Sequence, residues 1–311
     1  MKKLIVLILT AILLLSLFGC SGASSDTVGT ISGATKAEES VDIFTSASEP
    51  DDSGYVTCDY NGVERKFILY KPEGAGENAP LVFMLHGYGG SAKGFMDSTD
   101  MNNAAESKGY AVVYPQGIRD AKNSTGGACW NSGLNDSPND DTGFLVSLAQ
   151  YLQQTYGFSS SATFAAGFSN GAFMMYKLAY EAPDTFRAVA SVSGTMSGGA
   201  WAERPDSASV GILQISGTAD DVVPIEKDGV YGDAPAIGGV IEFWKNANKL
   251  EKYEEVKISE KATAYCYSSD SNDNQVCYIE IEGGSHSWPV KDSAGFDANE
   301  RILDFFSSFV K

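Results

Sequence analysis

Histidine is almost missing from this chain: His86 and His286 are the two such residues among 311. With so few imidazoles and no Cys-x-x-Cys or Cys/His spacing, a zinc site lacks its usual ligands, and no metal or cofactor is expected. Basic residues are also scarce, 22 Lys and Arg against 40 Asp and Glu, for a net charge of −18. Such a surface repels polyanions, which excludes nucleic acid or anionic lipid as the main partner. Solubility accounts for the charge. No internal repeat recurs, and the mature chain contains no apolar run long enough to span a membrane. What remains is an ordinary globular composition, 43 % apolar and 20 % charged, sufficient for a large core.

The amino terminus is the apolar exception. Lys2 and Lys3 precede an apolar run from Leu4 to Phe18, the length of a secretory signal and slightly short for a spanning helix. It ends in Leu17-Phe18-Gly19-Cys20, which resembles a bacterial lipobox whose cysteine becomes the lipidated first residue. Phe18 stands where a small residue is usual. Residues 1–20 are therefore expected to be a lipoprotein signal peptide. Residues 21–52, rich in Ser, Gly, Ala, Thr and Glu, form a flexible tether of roughly 30 Å, and 53–311 a single α/β domain. The protein is expected to be exported and held on the membrane through Cys20 alone, or secreted.

Export permits disulfides. Cys58, Cys129, Cys266 and Cys277 remain once Cys20 is set aside. Cys266 and Cys277 flank a polar turn between two strand-like runs, so they are expected to pair across a hairpin. Cys58 with Cys129 follows by elimination.

Along the domain, Asn61-Gly62 separates two strand-like stretches, the strongest short hairpin signal. Leu81–Leu85 is a continuous apolar run of the kind buried on both sheet faces. A helical stretch follows to about Ser107, then a strand at Tyr110–Tyr114 and a long polar loop from Ala121 to Asn139. Asp141 is read as the cap of a helix reaching Tyr156. Strands and helices then alternate to a closing amphipathic helix from Ala298 to Phe309. This alternation implies a mostly parallel sheet with helices on both faces.

The chemistry centres on Gly167-Phe168-Ser169-Asn170-Gly171. Small residues on either side let the chain turn sharply from strand to helix and present the Ser169 hydroxyl. Such a pentapeptide is weak by itself. A serine hydroxyl needs a base, almost always histidine. His86 sits in a glycine-rich turn directly after a buried strand, whereas His286 lies in a late loop, where a Ser…Asp…His order places the base. His286 is the candidate. The acid should end the strand Val210–Ile215, as Asp220 or Asp221, orienting the imidazole and stabilising its charged form. An oxyanion needs two backbone N–H donors: Asn170 after the nucleophile, and Tyr88, with Gly87 as alternative. Gly87-x-Gly89-x-x-Ala92 also fits a dinucleotide fingerprint, but no acidic residue ends the following strand at Tyr114 to receive a ribose. Trp130 and Trp288 fall on loops near the site, as an aromatic wall for substrate or as loop packing. Trp201 and Trp244 are read as structural.

These segments together, with Cys129-Trp130, Asp140–Leu145 and Gly284-Ser285-His286-Ser287-Trp288-Pro289, resemble the polyhydroxybutyrate depolymerase-type esterases. That group overlaps the feruloyl and acetylxylan esterases of carbohydrate esterase family one, in the α/β-hydrolase superfamily. The resemblance covers roughly residues 55–310 and implies Ser169, Asp220 and His286 as a catalytic triad. It departs from the family at Ser216, Ala172 and Val290. It implies a serine esterase acting on feruloyl or acetyl groups of plant cell-wall polysaccharide. A polyhydroxyalkanoate depolymerase is the alternative, and a serine peptidase or a non-catalytic carbohydrate-binding lipoprotein lies further off. The chain is expected to act as a monomer.

Overall fold

The structure, a computed structural model, describes residues 47–119, 126–134 and 138–311. The expected signal peptide 1–20 with Cys20, the expected tether as far as residue 46 and parts of the 121–139 loop lie outside the described residues. Within the described part of the tether, Ser48 is hydrogen-bonded to Thr57 through both backbone and hydroxyl (2.9 and 3.0 Å).

The strands run in chain order as β1 (Tyr55–Tyr60), β2 (Val63–Tyr70), β3 (Leu81–Leu85), β4 (Ala111–Pro115), β5 (Ile118–Arg119), β6 (Ala128–Cys129), β7 (Thr163–Phe168), β8 (Ala188–Val192), β9 (Gly211–Gly217), β10 (Lys252–Lys257), β11 (Ala262–Ser268) and β12 (Val276–Ile281). The helices are α1 (Ala92–Thr99), α2 (Met101–Lys108), α3 (Asp141–Tyr156), α4 (Asn170–Glu181), α5 (Gly198–Ala202), α6 (Ile237–Ala247), α7 (Lys291–Ala294) and α8 (Ala298–Ser307). Among the described residues, ten strands make one sheet in the order β1-β2-β4-β3-β7-β8-β9-β12-β11-β10, and β5 pairs separately with β6. From β4 to β12 all pairings are parallel, and antiparallel strands close both ends.

Side-chain alternation along the strands makes two cores. On β3, Leu81, Phe83 and Leu85 face the layer holding Leu148 of α3, Met174 of α4 and Trp244 of α6. Val82 and Met84 face the opposite layer, with Ala105 of α2 and Phe306 of α8. The continuous apolar run reads as it does because both faces are covered. This is the mostly parallel, doubly covered sheet expected from the sequence.

Several local expectations change. The helix after β3 breaks at Asp100, which takes a left-handed conformation (φ 59°) that aspartate tolerates better than most residues. The cap of α3 is Asp140, whose carboxylate accepts the Gly143 N–H at 2.9 Å. Asp141 is instead buried against Arg65 at 2.8 Å, and burial pushes its carboxyl pKa upward.

Cys266 and Cys277 lie directly opposite on β11 and β12 and are bridged. The second bridge does not form. Cys58 lies on the outermost strand with its thiol donating to the Arg65 carbonyl oxygen (3.6 Å), while Cys129 lies on the separate β5–β6 hairpin. Burial pushes the Cys58 thiol up to about 11. A buried thiol of this kind packs as a small apolar group, so pairing by elimination fails.

His86 is a structural residue beneath the turn after β3. It is buried; Nδ1 lies 2.8 Å from the Gly87 carbonyl oxygen, and Nε2 accepts the Gly117 N–H at 3.0 Å. That arrangement fits a neutral ring carrying its proton on Nδ1. Burial lowers its pKa from 6.5 to about 4. As pH falls, the unfolded chain takes up this proton first. The stability contributed by neutral His86 is thus complete above pH 6.5 and is lost as pH drops toward 4, about 3 kcal/mol in all. His86→Gln should lose correspondingly less stability between pH 7 and 4 in urea titrations; an unchanged loss would contradict the assignment. Gly171→Ala should destabilise by about 3 kcal/mol or more, because the added methyl would collide with the Leu85 carbonyl oxygen; denaturation midpoints test this.

Candidate active site

Parallel neighbours end on the same edge of a sheet, and that edge gathers the loops after β3, β7, β9 and β12. Ser169 follows β7. Its backbone holds φ 52° and ψ −117°, a region that costs a non-glycine residue about 1–3 kcal/mol. The strain is held by its surroundings: the Ser169 N–H donates to the Val192 carbonyl oxygen (3.0 Å), and its own carbonyl oxygen accepts from Phe173 in the first turn of α4 (3.0 Å). A Cβ on Gly167 would strike the Gly171 backbone, and one on Gly171 the Leu85 carbonyl oxygen.

The loops after β9 and β12 lie side by side because those strands pair with Gly217 opposite Ile281. They are laced by Thr218 N–H to the Ile281 carbonyl oxygen, Ala219 N–H to the Gly284 carbonyl oxygen (both 2.9 Å) and Gly283 N–H to the Thr218 hydroxyl (2.8 Å). Gly217 packs on Gly284 with no room for a side chain. The result brings Asp220 Oδ2 to 2.9 Å from His286 Nδ1, and His286 Nε2 to 3.0 Å from Ser169 Oγ. The other Asp220 oxygen accepts the Val222 and Val223 N–H groups at 2.9 and 2.8 Å. Asp220 is 4 % exposed whereas Asp221 is on the surface, so the geometry selects between the two. His286 is steadied by the Phe168 ring (centroids 5.0 Å apart) and by the Ser193 hydroxyl donating to the Ser287 carbonyl oxygen (3.2 Å).

This is a hydrogen-bonded acid–imidazole–hydroxyl relay, with the serine partly accessible. An ester or amide carbonyl is the electrophile such a relay can attack. Tyr88 lies on the turn after β3, its ring exposed and set against Gly127. The turn reaches the elbow at Gly87, where a Cβ would lie 3.3 Å from Ser169 Cβ. Asn170 is buried at the start of α4.

The two tryptophans are not an open wall. Trp130 is fully buried, its Nε1 donating to the His86 carbonyl oxygen (2.9 Å). Trp288 is half-buried, edge-on to Phe95 (5.3 Å) with Nε1 donating to Asn299 Oδ1 (3.1 Å). Loop packing, the other reading of both residues, describes their contacts. Sequence reasoning missed the side-chain work of Asn170, whose Oδ1 accepts the Trp130 N–H at 2.7 Å and whose Nδ2 donates to Ser132 Oγ at 3.0 Å. It also missed the buried Arg65–Asp141 pair, for which the adjacent acids Asp140-Asp141 were the available signal, since a helix needs one cap.

Known proteins share parts of this sequence and its fold. The chain is 28 % identical over 257 residues to the putative esterase NocK of Nocardia uniformis subsp. tsuyamanensis, covering 73 % of this chain and 72 % of that protein. It is 29 % identical over 142 residues to feruloyl esterase B of Thermothelomyces thermophilus, covering 44 % of this chain and 47 % of that protein. The solved acetyl xylan esterase from Aspergillus awamori superposes with a TM-score of 0.58 at 16 % identity, covering 78 % of this chain and 94 % of that one. That likeness shows an α/β-hydrolase fold. Residues 65–241, over half of the chain, match the family described as esterase PHB depolymerase, and the chain belongs to that family of carboxylic ester hydrolases.

Proposed function

We propose that the protein is an exported serine esterase that removes feruloyl or acetyl groups from plant cell-wall polysaccharide through an acyl-enzyme on Ser169. The observation that carries the reading is the relay, with its 2.9 and 3.0 Å contacts joining Asp220, His286 and Ser169. Ser169 Oγ attacks the ester carbonyl as His286 Nε2 takes its proton. The Asn170 and Tyr88 N–H groups receive the oxyanion, and His286 returns the proton to the departing alcohol oxygen. Water then attacks the acyl-enzyme with His286 again as base. Asp220, held by two backbone donors, stabilises the imidazolium formed in each half. Export rests on the leader, and membrane attachment on Cys20.

The polysaccharide assignment draws on the feruloyl and acetylxylan esterases among its relatives. A cleft of about 490 Å³ runs between Gly133–Leu134, Gly198–Gly199 and Tyr231–Asp233. Its walls connect to the elbow through Ser197, whose hydroxyl donates to the Ser132 carbonyl oxygen (2.9 Å), and Ser132, which receives Asn170. An aliphatic polyester is the second reading, favoured by the family's own description.

Ser169→Ala should lower kcat on a nitrophenyl ester by about 10^4-fold or more with an unchanged melting temperature, and Asp220→Asn by about 10^4-fold. Full activity in a folded Ser169→Ala protein would end the mechanism. Turnover of methyl ferulate and acetylated xylan should exceed that of a hydroxybutyrate oligomer at least about tenfold in kcat/KM; the reverse order would favour the polyester reading.

A further inference from the structure

The two expected oxyanion donors belong to segments about eighty residues apart, the turn after β3 and the start of α4. Their value depends on a fixed separation, because such donors act by being aimed in advance and small misplacement is expensive in rate. The two segments touch where Gly87 approaches Ser169. A third segment, residues 128–132, is hydrogen-bonded to both.

On the turn side, the Gly89 N–H donates to the Ala128 carbonyl oxygen (2.8 Å) and Trp130 Nε1 donates to the His86 carbonyl oxygen (2.9 Å). On the elbow side, the Asn170 carboxamide accepts the Trp130 N–H (2.7 Å) and donates to Ser132 Oγ (3.0 Å), with a longer contact to the Trp130 carbonyl oxygen (3.4 Å). The segment is itself anchored: the Asn131 N–H donates to Asp141 Oδ2 (2.7 Å), and Lys177 Nζ to the Asn131 carbonyl oxygen (3.1 Å). Trp130 and Asn170 are both buried, so water does not compete for these bonds.

We propose that Trp130 and the side chain of Asn170 form a clamp that sets the spacing of the two oxyanion donors. The Trp130 side chain and the Asn170 carboxamide are positioning groups, acting on the donors without touching substrate themselves. Asn170 thus has two separable parts, a backbone N–H aimed at the oxyanion and a carboxamide that locks the segment carrying Trp130. An aspartate there would lose the donor to Ser132, and an alanine both donor and acceptor, while each keeps the N–H. The inference rests on the serine esterase reading above.

The test measures kcat and KM on a nitrophenyl ester together with the rate of fluorophosphonate labelling. In that labelling the Ser169 oxygen–phosphorus bond forms as phosphorus–fluorine breaks, fluoride departs and His286 takes the hydroxyl proton. Asn170→Ala should lower kcat and the labelling rate in parallel, by about 10–100-fold, with KM within about threefold. Ser132→Ala should lower kcat more modestly, and its effect should vanish in the Asn170→Ala background because both act on one lock. Unchanged kcat with a lowered melting temperature, a rise confined to KM, or additive effects of the two substitutions would overturn the clamp. If Asn170→Ala fails to fold, Ser132→Ala alone decides: an unchanged labelling rate refutes it. Failure of the wild-type protein to label at Ser169 would instead remove the esterase reading itself.

Discussion

The elbow at Ser169 is the constraint around which the rest is arranged. A non-glycine residue at φ 52° and ψ −117° is uphill by itself, and persists because neighbours on every side over-determine it. Gly167 and Gly171 let strand and helix meet. Leu85 and His86 present carbonyl oxygens where a side chain at 171 would go, and a Cβ at Gly194 would strike Ala172. These contacts come from β3, β7 and β8, which are adjacent in the sheet. The strain is therefore spread over the middle of the molecule, where packing is tightest.

The two histidines show how environment divides one side chain into two uses. His86 is enclosed, both ring nitrogens are engaged, and desolvation keeps it neutral. His286 keeps partial exposure and faces one carboxylate and one hydroxyl. An imidazole able to gain and return a proton needs a carboxylate partner for its charged state, and Asp220 is the buried acid that the loop lacing delivers. The carboxylate bonded to His286 has its own backbone donors.

Several differences between sequence and structure share a physical cause. A helix cap is a local device, so Asp141 reads as the cap, whereas its partner Arg65 comes from a strand far away in the chain. Counting joins Cys58 with Cys129, yet hairpin geometry supports only Cys266 with Cys277. Trp130 admits two readings, substrate wall or loop packing, and its indole points into the protein. In each case the residue type was compatible with two fates, and contacts distant in sequence chose between them.

Local pattern alone determined a good deal: the strand–turn–helix elbow, the buried central strands, the hairpin at Asn61-Gly62 and the order of serine, acid and base along the chain. These follow from backbone sterics, side-chain periodicity and the pKa of imidazole, all short-range properties. Tertiary structure decided which aspartate faces His286, which thiols stay apart, and that Asn170 and Trp130 bind the elbow to the turn after β3. Those outcomes depend on the pairing of parallel strands remote in sequence, which brings together loops that no local signal connects.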